Sequence, residues 1–390
     1  MHRQGIDRLT PIARKVEREG TPNRRNVVLV FMESMSANLM GTFGSDKKLT
    51  PYLDSLYQQS LSFSHFYSSG IHTNHGIYST LYSFPAIMKR NAMKGSVIPV
   101  YSGLPTVLQE NGYCNLFFMT HESQYDNMNA FLRTNGFDEI YAQENYPSEK
   151  VVNSFGVQDD FMYQYALPIL NERAGTGNPF FSVLLSISNH PPYVIPPYFH
   201  PHSDVLEEQI VEYADWSIRQ FMQAAEKQPW FDNTIFVFLG DHGKMVGTPE
   251  CEMPQSYNHI PLMIYGKDIK PGVYDGFGGQ VDVSPTLLGL LNISYLQNNF
   301  GVNLLEEERP CMFFTADNLI GARDSVNMFI YSPDSQQEFK YKLEEGKLHA
   351  ATGTDEEAFR NLKDYCFSML QSTESLVKEH KTLDKVSVKK

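Results

Sequence analysis

The chain has 390 residues with a formal net charge of -13 at pH 7, which excludes nucleic acid as an expected partner, because phosphate contact draws on basic surface. Hydrophobic residues at 42% and aromatics at 13% suffice for one large α/β domain with a smaller appendage. Cys114, Cys251, Cys311 and Cys366 lack CxxC or CxxxC spacing and read as buried free thiols, and no apolar run approaches the ~20 residues of a membrane span, so the chain as given reads as soluble.

Residues 1–25 carry Arg3, Arg8, Arg14, Lys15, Arg18, Arg24 and Arg25 among prolines and glycines. They lack the apolar region of a signal peptide and are expected to form a solvated arm or linker. Asn26-Val-Val-Leu-Val-Phe-Met32 then reads as a buried parallel strand. Thr50-Pro51 opens a helix over 49–61 with Leu53, Leu56 and Tyr57 on one face. A helix over 104–110, closed by Asn111-Gly112, leads into a strand at 113–119. A strand at 180–188, a long amphipathic helix at 207–227 and the apolar strand Thr234-Ile-Phe-Val-Phe-Leu-Gly240 follow. A strand at 260–265 stops at Gly266, and Asp282 caps a helix over 282–291.

Strands alternating with helices imply a doubly wound, mostly parallel sheet flanked by helices. After about residue 300, short runs at 311–315, 328–332 and 339–343 with turns between them suggest a small antiparallel sheet, completed by a helix at 356–377 and a frayed tail at 378–390. The division expected is 1–25 as arm, 26–300 as catalytic α/β domain and 301–390 as C-terminal subdomain.

Chemistry concentrates where the two most apolar strands stop. The first opens onto Glu33-Ser34 and the second onto Asp241-His242-Gly243, at the carboxyl edge where open α/β sheets place their sites. Thr73, after the turn at Gly70, sits at the start of a helix with Ile77, Leu81 and Phe84 facing inward. Free amides and the helix dipole there favour negative charge; plain N-capping is the alternative duty for such a threonine. A threonine hydroxyl is a poor nucleophile unless a divalent cation stabilises its deprotonated form. Glu33, Thr73, Asp241 and His242 would form a four-ligand shell suited to Mn2+ or Zn2+ more than Ca2+.

Taken together, Val30-Phe-Met-Glu33-Ser34, Gly70-Ile-His-Thr73-Asn-His-Gly-Ile-Tyr-Ser-Thr80, Asn111-Gly-Tyr113, Asn135-Gly-Phe-Asp138, Ile187-Ser-Asn-His190-Pro-Pro-Tyr193, Gly240-Asp-His-Gly243, His259-Ile-Pro-Leu-Met-Ile-Tyr-Gly266 and Asp282-Val-Ser-Pro-Thr-Leu-Leu288 resemble the alkaline-phosphatase superfamily. The likeness lies in its sulfatase-like branch, and within it in the catalytic domain of lipoteichoic acid synthase type phosphoglycerol transferases. The stretches run in family order across residues 26–292.

The resemblance implies that Glu33, Thr73, Asp241 and His242 bind one divalent metal, usually manganese, with zinc or magnesium as alternatives, and that Thr73 is the nucleophile. It matches His121 and His190 to histidines lining the substrate pocket, and His190 or His259 would protonate the leaving alkoxide. The family's headgroup-gripping tryptophan and arginine are absent from Tyr125-Asp-Asn-Met-Asn129. Asn74, Asn127 and Arg133, the last beyond that segment on a short helix, complete the substrate-binding candidates.

The expected activity is therefore phosphodiester cleavage. Thr73 attacks a phospholipid headgroup such as glycerol phosphate and passes it to a hydroxyl of a glycan or lipid acceptor. Hydrolysis of a phosphodiester is the alternative. Sulfatase-type hydrolysis is disfavoured, since threonine stands where a formylglycine precursor is needed, and a degenerate binding module would lack the ligand set. Family members of this type carry a transmembrane bundle ahead of the catalytic domain. The parent protein is accordingly expected at the extracytoplasmic face of the membrane, contacting it through an N-terminal region not in this chain.

Overall fold

Eight strands form one sheet in the computed structural model, which describes residues 10–95, 97–344, 346–351 and 356–383. In chain order they are β1 (Asn26–Met32), β2 (Leu61–Tyr67), β3 (Cys114–Met119), β4 (Glu139–Tyr141), β5 (Phe180–Leu185), β6 (Thr234–Gly240), β7 (Leu262–Tyr265) and β8 (Gly272–Gly279). Their spatial order is β8-β2-β7-β6-β1-β5-β3-β4. Every neighbouring pair is parallel except those made by β7, which runs antiparallel to both β2 and β6. The mostly parallel sheet expected from the sequence is thus what forms. An antiparallel neighbour needs no crossover helix, and between β6 and β7 the chain folds only the short helix Gln255–Asn258.

All residues of β1 and β6 are buried, as a strand covered on both faces requires. Alternation along β1 divides the core. The helices around it are α1 (Pro51–Gln59), α2 (Thr73–Tyr82), α3 (Leu104–Glu110), α4 (Met128–Thr134), α5 (Asp159–Ala174), α6 (Leu206–Ala225) and α7 (Val283–Leu290). Val27, Leu29 and Phe31 pack on the side of α2, α3 and α7. Val28, Val30 and Met32 pack on the opposite side, against α1, α5 and α6, because successive strand residues point to opposite faces.

Two helix starts differ in detail from expectation. Thr50 makes no capping bond; its hydroxyl donates to Asp54. The buried carboxylate of Asp215, on α6, accepts from the amides of Tyr52 at 3.1 Å and Leu53 at 2.8 Å instead. Asp282 precedes α7 without capping it, because its oxygens accept from Gly279 N, Val302 N and the Arg309 guanidinium.

The C-terminal sheet has five strands, β9 (Met312–Thr315), β10 (Ile320–Arg323), β11 (Asn327–Ser332), β12 (Gln337–Glu344) and β13 (Lys347–Ala350), antiparallel in sequence order. Phe313, Ile320 and Phe329 pack under Phe359, Leu362 and Cys366 of α8 (Glu356–Lys378).

Within 10–25 the segment expected as a free arm is docked. Arg14–Val16 pairs antiparallel with Tyr295–Gln297, and Arg14 and Arg18 form ion pairs with Glu307 and Glu306. The start of the expected tail is held too, with Asn298 Nδ2 donating to Leu383 O at 2.7 Å. Residues 1–9 and 384–390 of those two segments lie outside the described residues. The cysteines are unpaired thiols, Cys366 buried and the others half-buried. No helix among the described residues is long and apolar enough to cross a membrane.

Candidate metal centre

The ends of β1 and β6 lie side by side, with Met32 opposite Gly240, so the next residues on each strand meet. One ligand atom each of Glu33, Asp241 and His242 falls within 4.8 Å of the others. Asp241 is fully buried and Glu33 nearly so. Asp241 Oδ1 accepts from Ser34 N at 2.8 Å and from His242 N at 2.7 Å, but its Oδ2 is buried without a hydrogen-bond partner. Ser34 Oγ donates to Glu33 Oε1 at 2.6 Å, and Thr73 Oγ donates to Glu33 Oε2 at 3.3 Å.

His242 Nδ1 lies 2.8 Å from the carbonyl oxygen of Gly243. A carbonyl only accepts, so Nδ1 carries the proton and Nε2 presents a lone pair. That lone pair faces Glu33 Oε1 at 3.7 Å and Asp241 Oδ2 at 3.6 Å. Burial, and then the charge of Asp241, push the Glu33 carboxyl well above its ordinary value. Two carboxylates this close repel by on the order of 3 kcal/mol at a protein-like dielectric. Acceptors facing acceptors around an orphaned buried oxygen make a place suited to a cation. Oxygen and imidazole donors in this number fit a divalent ion, and Thr73 Oγ adjoins them through Glu33.

Thr73 is the first residue of α2, after His72. Gly76 lets α2 approach the end of β6: a Cβ there would lie 2.1 Å from the carbonyl oxygen of Asp241. Gln280 joins the two loops, its Nε2 donating to Asp241 O at 2.6 Å and its Oε1 accepting from Ser69 N at 3.0 Å. His72 Nε2 lies 2.6 Å from Asp317 Oδ1, and Ser69 O accepts from Thr315 N, so the C-terminal sheet braces the turn that leads into Thr73.

The other candidates divide. His121 is buried, its Nδ1 directed at Glu122 O at 3.0 Å, its ring against Tyr125, and its basicity lowered by burial. His190 follows β5, with Nδ1 on Pro191 O at 2.6 Å and its ring 4.2 Å from Phe155. Each therefore keeps Nε2 for another partner. Asn74 donates to Asp126 Oδ2 at 3.1 Å and leaves a buried, partnerless Oδ1.

Three candidates have other duties. His259 donates its Nε2 proton to Ser64 O at 2.8 Å, between Phe43 and Tyr67. Burial lowers it to about 4; a ring neutral at pH 7 with its N–H engaged is unsuited to acid catalysis, which corrects that expectation. Asn127 holds Met93 O at 2.7 Å. Arg133 is exposed and bonded to Asn129 on its own helix and to Asp138 O, so it does not converge on the cluster.

Sequence reasoning passed over Ser34, Asn189, Lys244 and Gln280. Ser34 has a left-handed φ of 51, the kind of local strain that collects at functional sites. Its place after Glu33 was the only signal; the other three are recognisable only once the strand ends are brought together.

Residues 25–293 match the family model for sulfatases. The chain belongs to the sulfatase family. It is 25% identical over 324 residues to a lipoteichoic acid synthase-like protein of Bacillus subtilis, covering 74% of this chain and 51% of that one. The chain spans about half the length of the curated relatives it matches. A crystal structure from Vibrio parahaemolyticus, described as an alkaline phosphatase superfamily protein, superposes with a TM-score of 0.87 at 25% identity, covering 96% of this chain and 92% of that one. The lipoteichoic acid synthase LtaP of Listeria monocytogenes gives 0.76 at 22% identity, covering 91% and 92%. At the level of the family, the chemistry is ester transfer or hydrolysis.

Proposed function

We propose that this chain is a metal-dependent phosphotransferase that cleaves a phosphodiester, such as the glycerol phosphate headgroup of a phospholipid, through a phosphorylated Thr73. The observation that carries the reading is the Thr73 hydroxyl at the head of α2, bonded to Glu33 of the Glu33–Asp241–His242 cluster. Glu33, Thr73, Asp241 and His242 would hold the ion, manganese before zinc or magnesium, which when bound favours the deprotonated hydroxyl and neutralises charge on a phosphoryl oxygen. Thr73 Oγ, its proton released to solvent, forms the new bond to phosphorus while the bond to the diacylglycerol oxygen breaks. His190 gives that oxygen a proton from Nε2, then takes one from the acceptor hydroxyl as it attacks phospho-Thr73. Nε2 of His121 is available to a substrate oxygen, and Asn74 Oδ1 to a hydroxyl.

We take residues 26–300 as the catalytic unit, 301–390 as a bracing subdomain and 1–25 as its lead-in. We place the reaction at the extracytoplasmic membrane face, with a glycan or lipid as acceptor. Incubation of the manganese-loaded protein with phosphatidylglycerol vesicles and a glycan, followed by peptide mass spectrometry, tests the reading. The expected result is a glycerophosphate adduct on Thr73 and glycerophosphorylated glycan. Free glycerol phosphate alone would make the chain a hydrolase; no adduct and no bound metal would end the proposal.

A further inference from the structure

Lys244 stands two residues past His242, on the loop that leaves β6. Its ammonium donates to Asn189 Oδ1 at 2.5 Å and lies 5.6 Å from the centre of the Tyr193 ring. Asn189 in turn donates to Ser34 O at 3.1 Å. The side chain, on the loop after β6, is therefore tied to the segment after β5 and, through Asn189, to the end of β1. Among the described residues it makes no ion pair.

An ammonium has three donors, and here one neutral amide oxygen is the protein partner. A half-buried cation without an adjacent anion lowers the stability of a fold. Such an arrangement is retained where the missing anion arrives with a ligand, because the same desolvation strengthens the contact once made. The carboxylates of Glu33 and Asp241 cannot supply that anion: they belong to the cluster and would be balanced by the divalent ion.

We propose that Lys244 binds a non-bridging oxygen of the phosphoryl group attacked by Thr73, and so selects an anionic phosphodiester over a neutral ester. This rests on the phosphotransferase reading above. Asn189 acts as its positioning residue, holding the ammonium beside the site while leaving its remaining donors free.

Calorimetric titration of the manganese-loaded protein with glycerol phosphate tests it, using the parent, Lys244→Met and Lys244→Arg. Lys244→Met should raise Kd roughly tenfold to a hundredfold, the range of a charge-assisted hydrogen bond. Its manganese stoichiometry should match the parent, and its Tm should equal or exceed the parent's, because an unpaired buried charge is gone. Lys244→Arg should restore binding to within a few-fold. Equal Kd values for Lys244→Met and the parent would overturn the role of Lys244 and leave the phosphotransferase reading standing. A lowered Tm that arginine fails to rescue would assign Lys244 to structure instead. A parent that loads manganese but binds no glycerol phosphate would overturn both.

Discussion

Asp241 and Asp282 are both aspartates with no exposed surface, yet the chain treats them in opposite ways. Asp282 has every need met: Arg309 grips both oxygens, one of them at 2.7 Å from Nε, and Gly279 N and Val302 N complete the set. Asp241 has one oxygen held by two amides and the other left bare beside a second buried carboxylate and an imidazole lone pair. A charge satisfied inside the chain holds the structure together, here by pinning 300–309 against α7. A charge left open to one side costs stability and is completed only from outside. The contrast separates a structural acid from a ligand more sharply than burial does.

The largest expected effects lie at the open site. Thr73→Ala and Asp241→Asn should each lower turnover by roughly a thousandfold or more, as loss of a nucleophile or its activating group does. The metal-free Asp241→Asn protein should melt at or above the parent's Tm, because the repulsion with Glu33 is relieved. At the closed site the pattern inverts. Arg309→Met should destabilise by about 3–5 kcal/mol in denaturant titration, the cost of stranding a buried partner, with manganese stoichiometry unchanged. Gly76→Ala forces α2 away from Asp241 O and should reduce kcat/KM by about a hundredfold, since an ångström of misplacement suffices for that.

The smallest effect concerns His259, a half-buried base that is satisfied in its neutral form. Its folded value of about 4 lies below the ordinary 6.5, so its stabilisation is present above pH 6.5 and is lost as pH falls toward 4. Between pH 7 and 5 it should contribute about 2 kcal/mol of the parent's acid destabilisation. His259→Phe should show a correspondingly flatter profile in thermal melts across that range.

β1 and β6 were legible because each is apolar throughout, and their termini exposed Glu33, Asp241 and His242 before any geometry was known. β2 was not, because Leu61-Ser-Phe-Ser-His-Phe-Tyr67 mixes polar residues among apolar ones without strict alternation. Nor was β8, whose four glycines in Gly272–Gly279 carry little strand preference and depend on pairing with β2. α5 was missed because Pro168 lies inside it and its apolar residues form no clear stripe. At the site, motif position identified the cluster but overreached at His259 and Arg133, whose partners come from segments remote in sequence or from their own helix. Lys244 was hidden for the opposite reason: its importance lies in the partner it lacks.

The most direct measurement is anomalous diffraction at the manganese edge from crystals soaked in manganese chloride. The expected result is a single peak bounded by Glu33, Thr73 Oγ, Asp241 Oδ2 and His242 Nε2, absent from Asp241→Asn crystals. A peak elsewhere, or one that leaves the Thr73 hydroxyl outside coordinating distance, would contradict the assignment of Thr73 as the activated nucleophile.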